Sequence, residues 1–295
     1  MAEVSESPVE IAVPGGAELG EGAVWDHEHQ QLIWVDISGR RVHFYDPSSR
    51  RDESVEVAGT PGVAIPRRTG GLVMALAHGI AFLTTDGEVQ EVASLPQGEV
   101  PARMNDGNCD STGRLWVGTM GLREEPRAGS LYRLEPDLTL TCVLADVTIS
   151  NGLDWSPDDR LMYYVDSAEG RVDVFDFDVT SGVVADRRPF ATIGNGGGVM
   201  PDGLTVDAEG AVWIACWGGS AVRCFTPDGV LDRELRLPTQ NITSCAFGGP
   251  DFRDLYITSA REALSIDELA SEPDAGAVFV CRPGVQGRPQ RPFGG

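Results

Sequence analysis

The sequence is short of the groups that most enzymes of its size rely on. It has four histidines, His27, His29, His43 and His78. They fall in turns and at a strand end, and no Gly-x-Ser-x-Gly string occurs, so a Ser-His-Asp hydrolase finds little support. None of the six cysteines (Cys109, Cys142, Cys216, Cys224, Cys245, Cys281) belongs to a Cys-x-x-Cys pair, and no Cys/His cluster has zinc spacing. Several lie in apolar, strand-like stretches, where a free cysteine behaves as a small core residue. No phosphate-cradling or dinucleotide-binding glycine string is present. Asp176 to Gly182 looks like the start of an EF-hand loop, but Arg187 stands where the closing glutamate is needed. The opening Met1-Ala2-Glu3-Val4-Ser5-Glu6 has neither the basic region nor the apolar core of a signal peptide. No apolar run is long enough to span a bilayer. The expectation is a soluble, reduced, cytoplasmic protein without a membrane partner.

Basic residues are also scarce. There are 23 against 45 acidic ones, for a net charge of -22. With no basic run and so acidic a surface, phosphate backbones are repelled, which argues against a nucleic-acid partner. The same charge keeps the protein soluble and raises the local concentration of cations. What is plentiful is glycine, at 36 residues, and proline, at 19, a bias of turn-rich all-β folds. Hydrophobic residues make up 41% of the chain, enough for a substantial core.

The apolar stretches are short and rich in β-branched and aromatic residues. Leu32-Ile33-Trp34-Val35, Leu72-Val73-Met74-Ala75, Leu115-Trp116-Val117-Gly118, Leu161-Met162-Tyr163-Tyr164-Val165, Val212-Trp213-Ile214-Ala215 and Leu255-Tyr256-Ile257-Thr258 all read as buried strands. A turn signal stands before most of them, such as Ser111-Thr112-Gly113-Arg114 or Asp207-Ala208-Glu209-Gly210, and another strand follows each. The unit recurs every roughly 40 to 50 residues, the length of a four-stranded propeller blade. Six units fill the chain, which predicts an all-β, six-bladed β-propeller forming one domain over residues 1–295. A TIM barrel would need long amphipathic helices between strands. One helix is expected, over Arg261 to Ser271, as an insertion in the last blade. Ring closure assigns the stretch around Ile11-Ala12-Val13 to the outer strand of that blade.

Within this repeat, Glu21, Asn105, Asn151 and Asp202 occupy one register position, just before a short apolar stretch, and Pro61 and Thr243 share it. Each string has an ordinary reading by itself. Asn151-Gly152 is a common hairpin turn, Pro201-Asp202-Gly203 a common turn string, and most glutamates are solvated. In a propeller, however, one register position points to one end of one central channel. Two carboxylates and two amides would converge there, and such oxygen donors suit Ca²⁺, Mg²⁺ or Mn²⁺, with Zn²⁺ and Fe²⁺ left open. Arg103, two residues before Asn105, adds a cation at the same mouth, and its donors suit an oxygen-rich, polyhydroxylated substrate. An ion pair with Asp106 is its ordinary alternative. Trp25, Trp155 and Trp213 read as blade core rather than sugar-stacking platforms.

Gly20-Glu21-Gly22-Ala23-Val24-Trp25, Arg103-Met104-Asn105-Asp106, Ser150-Asn151-Gly152-Leu153-Asp154-Trp155-Ser156 and Pro201-Asp202-Gly203 resemble the motifs of the senescence-marker-protein/regucalcin/gluconolactonase family. The resemblance extends along nearly the whole chain. It implies a six-bladed propeller with one catalytic divalent metal ion in the channel, Ca²⁺ first among the candidates. Glu21, Asn151 and Asp202 would be the metal ligands, and Arg103 and Asn105 would contact substrate. It further implies hydrolysis of a sugar lactone, such as gluconolactone, to the aldonic acid, with Asp202 as general base. In some members an acid follows the Gly-Thr-Met string; here Gly121-Leu122-Arg123 intervenes before Glu124 and Glu125. The competing expectations are a metal-dependent esterase or organophosphate hydrolase and a non-enzymatic calcium-binding regulator. The protein is expected to be a monomer, because a closed ring needs no partner to complete its core.

Overall fold

A computed structural model describes residues 8–96, 100–194 and 197–295; the opening hexapeptide lies outside them. Strand β1 (Glu10–Val13) comes first in the chain. Blade 1 is β2 (Gly20–Asp26), β3 (Gln31–Asp36), β4 (Arg41–Asp46) and β5 (Arg51–Glu56). Blade 2 is β6 (Pro61–Pro66), β7 (Leu72–Leu76), β8 (Gly79–Leu83) and β9 (Val89–Ser94). Blade 3 is β10 (Ala102–Cys109), β11 (Leu115–Gly121), β12 (Gly129–Leu134) and β13 (Leu140–Val147). Blade 4 is β14 (Ser150–Trp155), β15 (Leu161–Asp166), β16 (Arg171–Asp178) and β17 (Val183–Thr192). Blade 5 is β18 (Met200–Val206), β19 (Val212–Trp217), β20 (Ala221–Phe225) and β21 (Leu231–Arg236). Blade 6 is β22 (Ile242–Gly248), β23 (Asp254–Ser259) and β24 (Val278–Cys281). Its outer strand is β1, paired antiparallel with β24, so the ring closes by joining the two ends of the chain. This is the expected six-bladed propeller.

The second strand of each blade is buried along nearly its whole length, which is why those strands read as unbroken apolar runs. Trp25, Trp155 and Trp213 lie in the core as expected, each at most 1% exposed. They fill the wedges between blades: Trp25 stacks on Tyr256, Trp155 meets Trp116 edge-on, and Trp213 meets Phe247 edge-on. At the far end of the blades, Asp110 and Asp207 lock the turns before β11 and β19. Each accepts two backbone N–H groups of its own turn on one oxygen and the indole N–H of Trp116 or Trp213 on the other.

The helix α1 (Ile266–Ser271) is where expected, between β23 and β24, but it starts five residues later. The N–H groups of Arg261 and Glu262 bond to the carbonyl of Glu18, and Ala263 then turns into a left-handed backbone (φ 65°), which a helix cannot run through. The helix begins after Ser265, whose hydroxyl and Glu268 form a reciprocal capping box. Among the described residues no helix is long and apolar enough to cross a membrane.

All six inner strands carry an irregularity at the same level. The pairing shifts between Glu21 and Val24, Pro61 and Val63, Met104 and Gly107, Ser150 and Leu153, Pro201 and Leu204, and Ile242 and Cys245. A bulge bends the strand and re-aims a side chain. The shared register seen in the sequence is thus a ring of bulges. Neighbouring bulges touch: a Cβ at Gly152 would stand 2.5 Å from the Leu204 nitrogen and 2.6 Å from the Asp202 carbonyl. Only glycine fits there.

After β24 the chain crosses the opposite face. Gly287 donates to Phe252 of blade 6, and the Gln286 carbonyl accepts from Ala208 of blade 5. Arg288 binds the Asp154 carboxylate and the carbonyls of Trp155 and Val206. Gln290 donates to Asn108 of blade 3, and Phe293, fully buried, bonds through its backbone to Pro66 and Arg68 of blade 2. Gln290 also floors a cavity of about 30 Å³, walled by inner-strand residues that include Gly22, Asp106, Leu204 and Ser244. That is room for about one water molecule.

Candidate functional site

The bulges bring Glu21, Asn105, Asn151 and Asp202 to one end of the channel, and each is 5 or 6% exposed. The two amides are used differently. Asn105 is fully engaged: its NH₂ donates to the Ser150 carbonyl at 2.9 Å, and its oxygen accepts from Arg103 at 2.7 Å. Asn151 donates through its NH₂ to Ser167 Oγ at 3.0 Å and to Asp202 Oδ1. Its carbonyl oxygen is buried and takes no hydrogen bond from the described residues. A buried, unpartnered carbonyl oxygen beside carboxylates is a place for a cation.

The charges agree. Burial pushes the Glu21 carboxyl well above the ordinary range, and the charges of Asp202 and Asp106 push it further, against the pull of the Gly22 N–H and Arg103. Burial and Asp106 likewise raise Asp202 well above its usual value, against its hydrogen bonds with Asn151 and Glu21. Both shifts report buried negative charge without enough positive charge beside it. The remaining register positions are not donors: Pro61 has no polar side chain, and the Thr243 hydroxyl is spent on the Gly20 carbonyl at 2.6 Å.

Arg103 bonds to Asn105 and to the Met104 carbonyl and, among the described residues, stands in no ion pair with Asp106. Burial lowers its pKa, and the charges of Glu21, Glu262, Asp202 and Glu124 oppose that. Of the two acids beyond the Gly-Thr-Met string, Glu124 acts on Arg103, whereas Glu125 folds back to accept from Arg123 N–H.

Asp106 is the participant that sequence reasoning misjudged. It is buried, takes the Gly107 N–H at 2.7 Å, and burial raises its pKa to about 6. Its signal was present: it stands one place after the register residue, where four other blades carry Gly22, Gly62, Gly152 and Gly203. No cluster of three or more His, Cys, Asp or Glu side chains among the described residues is placed to hold a metal ion. Asp106 is therefore not gathered with Glu21 and Asp202 into a three-carboxylate cage.

Residues 19–261 match the SMP-30/Gluconolactonase/LRE-like region. The chain belongs to that family. It is 36% identical to regucalcin of Danio rerio over 298 residues, covering 99% of this chain and 100% of that protein. It is 34% identical over 281 residues to YvrE of Bacillus subtilis, which carries a provisional sugar-lactone-lactonase name; 95% of this chain and 96% of YvrE are covered. The solved structure of a calcium-binding protein, regucalcin, from Agrobacterium tumefaciens superposes with a TM-score of 0.90 at 29% identity, covering 97% of each chain. All three family members match along almost their entire length, so the whole ring is shared and not the channel motifs alone.

Proposed function

We propose that this protein is a metal-dependent hydrolase that opens sugar lactones to aldonic acids, a gluconolactonase-type carboxylic-ester hydrolase. The observation that carries the reading is the buried, unpartnered oxygen of Asn151, an amide that donates to Asp202, at the level of the ring where burial and mutual charge raise the carboxyls of Glu21 and Asp202. These three residues would hold one divalent cation, and the all-oxygen donor set suits Ca²⁺, Mg²⁺ or Mn²⁺ first. When bound, such an ion supplies Lewis-acid polarisation of the lactone carbonyl and stabilises the charge that develops on its oxygen. Asp202, ionised when the cation is bound, takes the proton of the attacking water as general base. Arg103 donates to ring hydroxyls, held in place by its bonds to Asn105 and Met104. Glu124 offers an acceptor on the same rim. The YvrE name supports the substrate class, and the regucalcin names support calcium among the candidate ions.

The test is hydrolysis of an aldonolactone panel by chelator-stripped protein, with Ca²⁺, Mg²⁺, Mn²⁺, Zn²⁺ and Fe²⁺ added back separately, against spontaneous ring opening. Metal-dependent turnover that Glu21→Gln or Asp202→Asn abolishes is the expected result. Stoichiometric Ca²⁺ binding with no turnover of any lactone would favour a calcium-binding regulator instead. Faster turnover of an aryl ester or phosphotriester than of every lactone would favour the esterase.

A further inference from the structure

The two donors Glu21 and Asn151 sit on different blades, yet the chain leading to each is held in the same way. In blade 1, Asp36 ends β3 and is 7% exposed. Its Oδ2 accepts the N–H of Glu18 and its Oδ1 the N–H of Leu19, both at 3.1 Å. In blade 4, Asp166 ends β15 and is 6% exposed. Its Oδ2 accepts the N–H of Thr148 at 3.0 Å and its Oδ1 the N–H of Ile149 at 2.9 Å. In both blades the bound N–H groups lie three and two residues before the donor. Both also add the same backbone bond, Ile37 N–H to Leu19 carbonyl and Ser167 N–H to Ile149 carbonyl. In blade 4 the grip continues, because the Ser167 hydroxyl accepts from the Asn151 amide and so turns the amide oxygen away from the serine.

Among the described residues no other blade repeats the device. Asp36 is register partner to Gly20 and Asp166 to Ser150, each the residue before a donor. The matching partners in blades 3, 5 and 6 are Thr119, Cys216 and Ser259. In blade 5, Pro201 stands directly before Asp202, and its ring fixes the backbone without a carboxylate. A buried carboxylate gripping two backbone N–H groups is a strong, charge-assisted brace. It stands behind Glu21 and Asn151, is replaced by Pro201 behind Asp202, and is absent at Pro61, where nothing is aimed.

We propose that Asp36 and Asp166 are paired positioning residues that set the approach of Glu21 and Asn151, and so the affinity of the channel for a divalent cation. The inference rests on reading the channel as a cation site. Groups that orient metal donors from behind typically change affinity by roughly 10–100-fold when altered. The test is calorimetric titration of chelator-stripped protein with Ca²⁺ for the wild type, Asp36→Asn, Asp166→Asn and the control Asp207→Asn. Asp207 also grips two backbone N–H groups and is buried, but at the far end of its blade. The expected result is a Kd raised roughly tenfold or more in Asp36→Asn and Asp166→Asn, with faster amide exchange at Leu19 and Ile149. Asp207→Asn should lower Tm while leaving Kd within about twofold of the wild type. Unchanged Kd in both upper variants would overturn the inference, as would an equal loss in Asp207→Asn, which would mean general loosening. If the wild type binds no Ca²⁺, the same titrations are run with Mg²⁺, Mn²⁺, Zn²⁺ and Fe²⁺, and binding of none of them would overturn the cation-site reading itself, a different result from wild-type binding that the braces do not affect. The two upper sites are independent, so one variant that fails to fold leaves the other to decide.

Discussion

Asn105 and Asn151 show how one residue type at one register position takes two different jobs. The oxygen of Asn105 is occupied by Arg103, so this amide shapes the rim; the oxygen of Asn151 has no donor among the described residues, and on the proposed reading it is the one that a cation would use. The sequence could place both residues at the channel mouth but could not separate these uses, because the difference depends on which neighbours reach each amide. Asp106 adds a property that can be measured. Burial raises its pKa from 3.8 to about 6 in the metal-free channel, and Glu21 and Asp202 shift the same way. A carboxyl whose folded-state pKa is raised favours folding while protonated. That contribution is complete below the unfolded value and is lost as pH rises through about 6. Chelator-stripped protein should therefore lose Tm between pH 5 and pH 7.5, by this linkage, and Asp106→Asn should flatten the loss. Saturating divalent cation should raise Tm most at the upper end of that range, because it binds the ionised carboxylates. A stripped protein whose Tm climbs steadily over the same range would contradict the assignment of these charges.

At the scale of the strand and its bulge, the geometry that aims the donors depends on glycines. Gly152→Ala places a methyl within 2.5 Å of the Leu204 backbone nitrogen, which cannot rotate away. Denaturant unfolding should show a loss of roughly 1–3 kcal/mol, as for overpacking in a tight core. Because β14 and β18 must separate, the Asn151 and Asp202 donors should also move apart and cation affinity should fall with stability. Much at this scale was legible beforehand. Leu161 to Val165 and Val212 to Ala215 alternate with Ser-Pro-Asp-Asp and Asp-Ala-Glu-Gly turns, and that rhythm is the blade itself. The helix after Arg261 was legible as an element but not in its start, because the left-handed turn at Ala263 follows a segment held by the Glu18 carbonyl, far away in sequence. The braces Asp36 and Asp166 were hidden for the same reason: an acid at the end of a strand reads as a solvated turn until its backbone partners, 17 and 18 residues away, are seen.

The whole molecule is a ring sealed twice, once by β1 joining blade 6 and once by the chain that runs under the channel. The first seal was legible in the apolar stretch around Ile11. The second was not, because Arg288, Gln290 and Phe293 lie in a run of glycine and proline with no strand pattern, and only their distant partners give them meaning. Phe293→Ala should cost roughly 3–5 kcal/mol in equilibrium unfolding, the usual loss for a fully buried phenylalanine, although it belongs to no blade. Gln290 lines the small cavity among the inner strands, where the closing chain crosses the ring. On the lactone reading, a neutral ring comes in and an aldonate anion must leave the same site, near Glu124 and Glu262 and under a net charge of -22. Traffic is then one at a time, so accumulated aldonate should inhibit competitively. The electrostatic push that clears it should weaken as salt is added, making product inhibition stronger at high ionic strength.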